Sequence, residues 1–322
     1  MKSLREKILN FNCPVILYEL LPPPLNNNSS VDAYIDCAID LLTSSSIPID
    51  AINIPEIRDE NNKKRKLESK LDAFSFATTL ETSMYKHVDV ILNHCTVYEP
   101  FTEQIKWLTT ANQHNKLQFL ILVGGSSSKV VYPGPSVLDM ARYIQNHYKE
   151  QLFCGGITIQ SRRYHEQNKD EPNRLILKGK YGLQFFTSQI IYDAISVKFL
   201  LRDYAQACYE TGISPKRIFL SFAPIANMKD LQFLQWLGVH VPKTIQNELF
   251  KADIGIGWRS AKIAENILQE ILAFMQYENI EIPLGLNIEH ITRHNFEISL
   301  NLIQRLGSLY QNYQQIYCKR HT

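Results

Sequence analysis

Short apolar runs rich in β-branched and aromatic residues recur along this chain, with amphipathic helical patterns between them. The first, Val15-Ile16-Leu17-Tyr18-Glu19, stops at Pro22-Pro23-Pro24, which cannot continue a strand ladder. Further strands are predicted over 49–54, 88–93, 117–123, 153–159, 183–188, 217–222 and 282–288. The helical period predicts helices over 31–42, 63–85, 101–112, 135–148, 172–180, 193–210 and 295–317. Gly182 and Gly212 read as helix stops. Between the last two strands lie about 60 residues of mainly helical pattern, broken at Pro242 and Gly255-Ile256-Gly257, more than a crossover needs.

Strands alternating with helical crossovers imply parallel pairing. Eight such units in 322 residues predict a single (β/α)8 barrel, residues 1–322 forming one catalytic domain with a helical insertion between strands seven and eight. A doubly wound open sheet is the alternative. Its dinucleotide fingerprint belongs after the first strand, where this chain has three prolines.

Composition narrows the function classes. A net charge of +2 gives no electrostatic case for nucleic acid or an anionic membrane as partner. The basic run Lys63-Lys64-Arg65-Lys66 reads as a solvated helix start. No stretch approaches the roughly 20 apolar residues of a membrane-spanning helix. Six scattered cysteines without a C-x-x-C pair argue against a disulfide framework and a thiolate zinc site, and imply a reduced, cytoplasmic protein.

In such a barrel, ligands bind at the C-terminal ends of the strands. Those ends carry Glu19, Asn53, His94 with Thr96, Gly124-Gly125-Ser126, Gln160, Gln189, Asn227 just after Pro224, and Asn287 with Glu289 and His290. The opposite ends carry nothing as consistent, which points to an enzyme or a small-molecule binder. The set lacks a ring of His and Asp, so no metal is expected. No G-x-S-x-G elbow is present, and Lys178 lies in a helical pattern, which disfavours Schiff-base chemistry. Amide-rich ends suit a planar heterocycle such as a pterin or flavin. The Gly124-Gly125-Ser126 loop offers backbone N–H groups to a phosphate. Glu19, among apolar neighbours, is either paired or tuned for proton transfer.

Tyr18-Glu19-Leu20-Leu21-Pro22-Pro23 resembles the E-F-F-P-P signature of methylenetetrahydrofolate reductases. His94-Cys95-Thr96, Phe185-Phe186-Thr187-Ser188-Gln189 with Tyr192-Asp193, and Pro224-Ile225-Ala226-Asn227 resemble further family elements in the same order. The resemblance weakens in the last quarter of the chain. It implies reduction of 5,10-methylenetetrahydrofolate to 5-methyltetrahydrofolate with NADH or NADPH, a folate as small-molecule partner, and Glu19 as general acid. It assigns the folate-ring glutamine to Gln189, a threonine position to Asn53 and a flavin-contacting lysine to Lys178. His94, Thr96, Gly124, Gly125, Ser126 and Gln160 complete the expected cofactor site, and Asn227 joins the substrate side. One departure concerns FAD: Val123-Gly124-Gly125 stands where the flavin-binding pattern has R-G-D, so Gly125 replaces its aspartate. A branch of the family works without bound flavin. A pterin-linked methyl transferase and a non-catalytic folate-binding barrel are the alternatives, and oligomeric state is left open.

Overall fold

The computed structural model describes residues 2–24, 33–36, 40, 46–56, 70–82, 88–113, 117–125, 130–162, 170–251 and 255–320. Eight parallel strands close into a barrel in chain order. They are β1 (Ile16–Glu19), β2 (Ala51–Ile54), β3 (Asp89–Cys95), β4 (Phe119–Val123), β5 (Phe153–Thr158), β6 (Phe185–Ser188), β7 (Arg217–Phe222) and β8 (Leu284–Glu289). This is the predicted (β/α)8 TIM barrel. The described helices are α1 (Leu4–Leu9), α2 (Ala73–Thr82), α3 (Phe101–Gln113), α4 (Val137–His147), α5 (Glu171–Lys180), α6 (Ala194–Thr211), α7 (Met228–Trp236), α8 (Lys243–Leu249), α9 (Ile256–Tyr277) and α10 (Phe296–Arg320). The insertion before β8 consists of α7, α8 and α9.

Two helix expectations change. Of the helix expected over 31–42, residues 33–36 and 40 are helical, and the rest lie outside the described residues. Of the helix expected over 63–85, residues 73–82 are helical and 70–72 are not, and 63–69 and 83–85 lie outside the described residues. Lys70 bridges to Pro24, and the Asp72 carboxylate accepts the Ser75 N–H at 2.8 Å, so the first turn is capped there. The basic run at 63–66 lies outside the described residues. Gly257 is a helical residue and not a break; a side chain there would run into Ile298 of α10.

Strand alternation sorts side chains into two cores. Ile16, Tyr18, Ile52, Ile54, Leu120 and Leu122 pack outward against the helices. Leu17, Ala51, Ile91, Ile121 and the rings of Phe119, Phe153, Phe185 and Phe219 fill the lumen. Neighbouring rings of that layer lie 5.7–5.9 Å apart, alternately edge-on and stacked. Gly155 and Gly285 make room, because a Cβ at either would enter the Phe185 or Phe219 ring.

The lower end is sealed by α1. A capping box between Ser3 and Glu6 starts this short helix, and Leu4 and Ile8 enter the lumen core. The buried Arg217 guanidinium latches the plug. It donates to the carbonyls of Ile8 (2.9 Å), Asn10 (2.5 Å), Lys7 (3.2 Å) and Leu284. Asp50 adds a second tie, accepting from Lys7 Nζ at 2.6 Å and the Ile16 N–H at 2.8 Å.

Replacing Arg217 by Met keeps the bulk but strands several buried carbonyls. We expect a loss of about 3 kcal/mol in urea unfolding. A loss below about 1 kcal/mol would show that the plug does not depend on the latch.

Candidate functional site

The mouth is built around the end of β1. Leu17 faces the lumen, so Glu19, two residues on, does too. Register places Asn53 of β2 on one side of Glu19 and Glu289 of β8 on the other. The three prolines that follow bring no N–H, so Leu21 has the last backbone donor before the turn. It gives that hydrogen to His290 Nε2 at 3.2 Å, and His290 Nδ1 then faces the Thr292 carbonyl at 3.2 Å. His290 points away from the lumen and stacks on Tyr18, ring centroids 5.9 Å apart. Tyr18 in turn meets Ser299 of α10 at 2.7 Å. The adjacent Ile291 has φ of 51°, a left-handed conformation that a β-branched residue adopts only under strain. Glu289 and His290 thus face opposite sides of the strand.

A buried carboxyl, Glu19, and a half-buried one, Glu289, now share one corner. Burial pushes the Glu19 carboxyl well above its ordinary range, the neighbouring Glu289 pushes it further, and Lys70 opposes. Burial raises Glu289 to about 7, against the stabilising donors Ser221 and Asn287. Asn287 Nδ2 donates to Glu289 Oε1 and to Ser221 Oγ, each at 3.0 Å. The pair titrates as a unit. Glu289 has two donors that favour its anion, whereas Glu19 is pushed upward both by burial and by that neighbour.

Unpaired polar atoms ring this corner. The buried Asn53 Oδ1, Asn93 Oδ1, Thr187 Oγ1 and Asn287 Oδ1 have no partner among the described residues, nor does Gln160 Oε1 just beyond β5. Buried polar groups are ordinarily satisfied, so such a collar calls for a polar ligand or ordered water. Asn287 is oriented by its own donations, and Gln160 by donating Nε2 to the Gln189 carbonyl at 3.2 Å, so both present true acceptors. On β4 and β5 the corresponding lumen positions are Val123 and Ile157, which gives the mouth an apolar wall.

Other expected site residues are engaged elsewhere. β3 runs through Cys95, so His94 lies inside it and turns outward. Its ring stacks on Trp107 at 3.6 Å and meets Gln104 Oε1 at 2.6 Å, with Glu56 at 3.4 Å. Thr96 Oγ1 donates to the Pro135 carbonyl at 3.1 Å. Lys178 of α5 bonds the Ile157 carbonyl at 2.5 Å and lies 3.8 Å from the fully buried Glu171; burial lowers it to about 8. The Tyr132 ring covers Gly125 so closely that any side chain there would collide with it. Gly124 has ordinary space, and Ser126 lies outside the described residues. Gln189 is half-buried after β6, its Nε2 donating to the Leu237 carbonyl at 3.3 Å. Asn227 caps α7, accepting the Asp230 N–H at 3.1 Å.

The structure therefore gathers Glu19 and Asn53 with residues that strand-end reading passed over. Asn93, Thr187 and Ser221 are polar residues at lumen-facing positions inside apolar strands; period-two counting would have found them. Glu289 acquires its meaning only from the β1–β8 register. Among the described residues, no three His, Cys, Asp or Glu side chains converge as a metal would require.

The raised carboxyls have a stability consequence. A carboxyl whose folded pKa is raised contributes most below its unfolded pKa, and that contribution is lost as pH rises through the folded value. For Glu289 the window runs from about 4.5 to about 7. Glu289→Gln keeps an acceptor for Ser221 and Asn287 without the buried charge. We expect it to melt about 4 °C higher than the parent at pH 8, corresponding to about 2 kcal/mol, and nearly together with it at pH 5. An equal or lower midpoint at pH 8 would contradict a Glu289 carboxyl raised by burial.

In comparisons with known proteins, no family model and no curated sequence matches the chain. A solved structure described as an uncharacterized protein from Clostridium thermocellum that binds two copies of 5-methyl-5,6,7,8-tetrahydrofolic acid superposes with a TM-score of 0.77. The match covers 95% of this chain and 99% of that one at 23% identity, so the two share a fold. An F420-dependent secondary alcohol dehydrogenase in complex with an F420-acetone adduct aligns at a TM-score of 0.49 and 12% identity, over 91% of this chain and 99% of that one. That likeness is too low to bear on this chain.

Proposed function

We propose that this barrel binds a folate and reduces 5,10-methylenetetrahydrofolate to 5-methyltetrahydrofolate, with NADH or NADPH as co-substrate and Glu19 as general acid. The observation that carries the reading is the buried Glu19 carboxyl at the barrel mouth, aligned with Glu289 across the β1–β8 seam and pushed well above its ordinary range by burial and by that neighbour. The order of motifs along strands one to seven supports it, as does the folate bound by the Clostridium thermocellum protein of the same fold.

The chemistry follows from the placement. Glu19 gives its proton to N10 as the C–N10 bond breaks, and the electron pair stays on N10. The methylene carbon becomes a cation conjugated with N5, and hydride from the nicotinamide closes it to a methyl group. The dyad reloads from solvent, which matches the one proton the overall reaction consumes. A raised pKa is what a general acid needs at neutral pH. Asn53 and Gln189, with Asn227 at the rim, are the substrate-side groups on this reading.

The residues that the resemblance assigns to flavin do not fit that group. Lys178, Thr96 and His94 are committed to their own chain, and Tyr132 fills the space over Gly125. The hydride therefore comes directly from the nicotinamide, with no step through FAD.

Purified protein given NADH or NADPH and methylenetetrahydrofolate, without added flavin, should form 5-methyltetrahydrofolate. Glu19→Gln should lower kcat at least about 100-fold while folate binding by calorimetry changes only a few-fold. No product with or without FAD would end the reading. Tight folate binding without turnover would leave a non-catalytic folate-binding barrel, and methyl transfer without reduced nicotinamide a methyl transferase.

A further inference from the structure

The carboxylate of Glu289 has no structural justification of its own. Its donors, Asn287 Nδ2 and Ser221, would be accepted equally by a glutamine at the same place. A glutamine would also avoid burying a second acid beside Glu19, an arrangement that costs stability. Yet the site is built to keep it. Barrel closure sets Glu289 level with Glu19, and Asn287 is oriented by donating to both Ser221 and Glu289. The His290 bond to Leu21 fixes the seam just behind. A costly group held this firmly, beside a group with a proposed chemical task, has its explanation in that task.

We propose that Glu289 is a positioning residue: across the β1–β8 seam it forms a dyad with Glu19 in which one proton is shared and resides on Glu19. This inference rests on the reductase reading for the use of that proton, but not for the existence of the dyad. The asymmetry comes from the surroundings. Glu289 receives hydrogen bonds from Ser221 of β7 and Asn287 of β8, which favour its anion. Glu19 faces Glu289 and, from the segment before α2, Lys70. The buried Tyr192 phenol, following β6, also feels the Glu289 charge. The Glu289 anion makes ionisation of Glu19 unfavourable, so the acid arrives at neutral pH still protonated. When Glu19 donates, its O–H bond breaks and the N10–H bond forms. Lys70 offsets part of the charge left behind, and solvent returns the proton.

The test compares pH profiles. A general acid works only when protonated, so kcat falls as pH rises through the Glu19 pKa. Glu289→Gln removes the neighbouring charge, lowers that pKa and moves the alkaline limb to lower pH. We expect a displacement of about one pH unit or more, hence about tenfold lower kcat well above both midpoints, with KM for methylenetetrahydrofolate within about threefold. A merely structural Glu289 would scale the profile without moving its midpoint, and an unmoved limb would overturn the proposal.

A second readout needs no turnover. The infrared C=O stretch of a protonated carboxyl in the free protein, identified by its loss in Glu19→Gln, should be present in the wild type at pH 7. It should titrate at lower pH in Glu289→Gln. If that variant fails to fold, Glu19→Gln carries the test: its Glu289 carboxyl should titrate where the lower step of the wild type does, because Glu19 is neutral while Glu289 ionises, and the upper step should vanish. A Glu289 titration displaced to lower pH in Glu19→Gln would put the shared proton on Glu289 and overturn the assignment. Infrared coupling without any reductase activity would sink the reaction and leave the dyad standing. Absence of the coupling in an active enzyme would do the reverse.

Discussion

Closure of the last strand onto the first is the constraint from which the mouth of this barrel follows. A sheet in chain order must end by pairing β8 with β1, and the register that results aligns Glu19 with Glu289. A slip of β1 by one residue would exchange its faces, bringing Tyr18 into the lumen and sending Glu19 into the helical layer, away from Glu289. The seam is locked from behind. Tyr18 and His290 stack on the outer face, Tyr18 is held by Ser299, and Leu21 donates to His290. Two acids that repel as anions cannot move apart without breaking those contacts.

Such a mouth is destabilising, and the remainder of the barrel offsets it. The lower lumen is closed by an aromatic layer, a capped helical plug and an arginine whose donors go to backbone carbonyls. Among the described residues, most of the unpaired polar atoms, the Glu19–Glu289 pair and the strained Ile291 lie toward the upper end, with Gln314 Oε1 beside Tyr310 and the raised Asp89 carboxyl as the exceptions at the lower. Barrels commonly divide the work in this way, with binding at the C-terminal ends of the strands and stability at the opposite ends. The distribution of unpaired polar atoms therefore locates the functional end independently of any family likeness.

The elements of the fold were legible because each strand is an apolar run bounded by proline, glycine or an amide. Glu19 was legible for the same reason, as an acid ending such a run. Side-chain direction was harder to see. In the sequence His94 reads as the end of its strand, but β3 continues to Cys95, and strand alternation sends the ring outward onto Trp107. Lys178 had the right chemistry but serves the Ile157 carbonyl and Glu171. Glu289 could not be paired with Glu19 from local pattern at all, because their adjacency is a property of the closing register between opposite ends of the chain. The interruption at 70–72 was hidden too, since helical periodicity continues through the point where Lys70 bridges to Pro24.

What remains is the kind of ligand that the mouth can orient. The acceptor of Asn287 cannot be exchanged for a donor by turning the amide, because its nitrogen already serves Glu289 and Ser221. Asn53 lies on the other side of Glu19, with another unpaired acceptor. A ligand that meets the fixed acceptor of Asn287 must bring a donor to that corner, whereas the Asn53 amide can turn to offer its oxygen or its nitrogen. Its opposite face would rest on the apolar wall of Val123 and Ile157. A flat heterocycle with several ring and exocyclic N–H groups meets that description, and a reduced pterin is one. Phosphates and simple carboxylates do not, since they bring only acceptors to a corner already rich in them. The acceptors of the collar call for N–H donors on the ligand, and on the proposed reading the Glu19 acid calls for a basic atom in the same molecule.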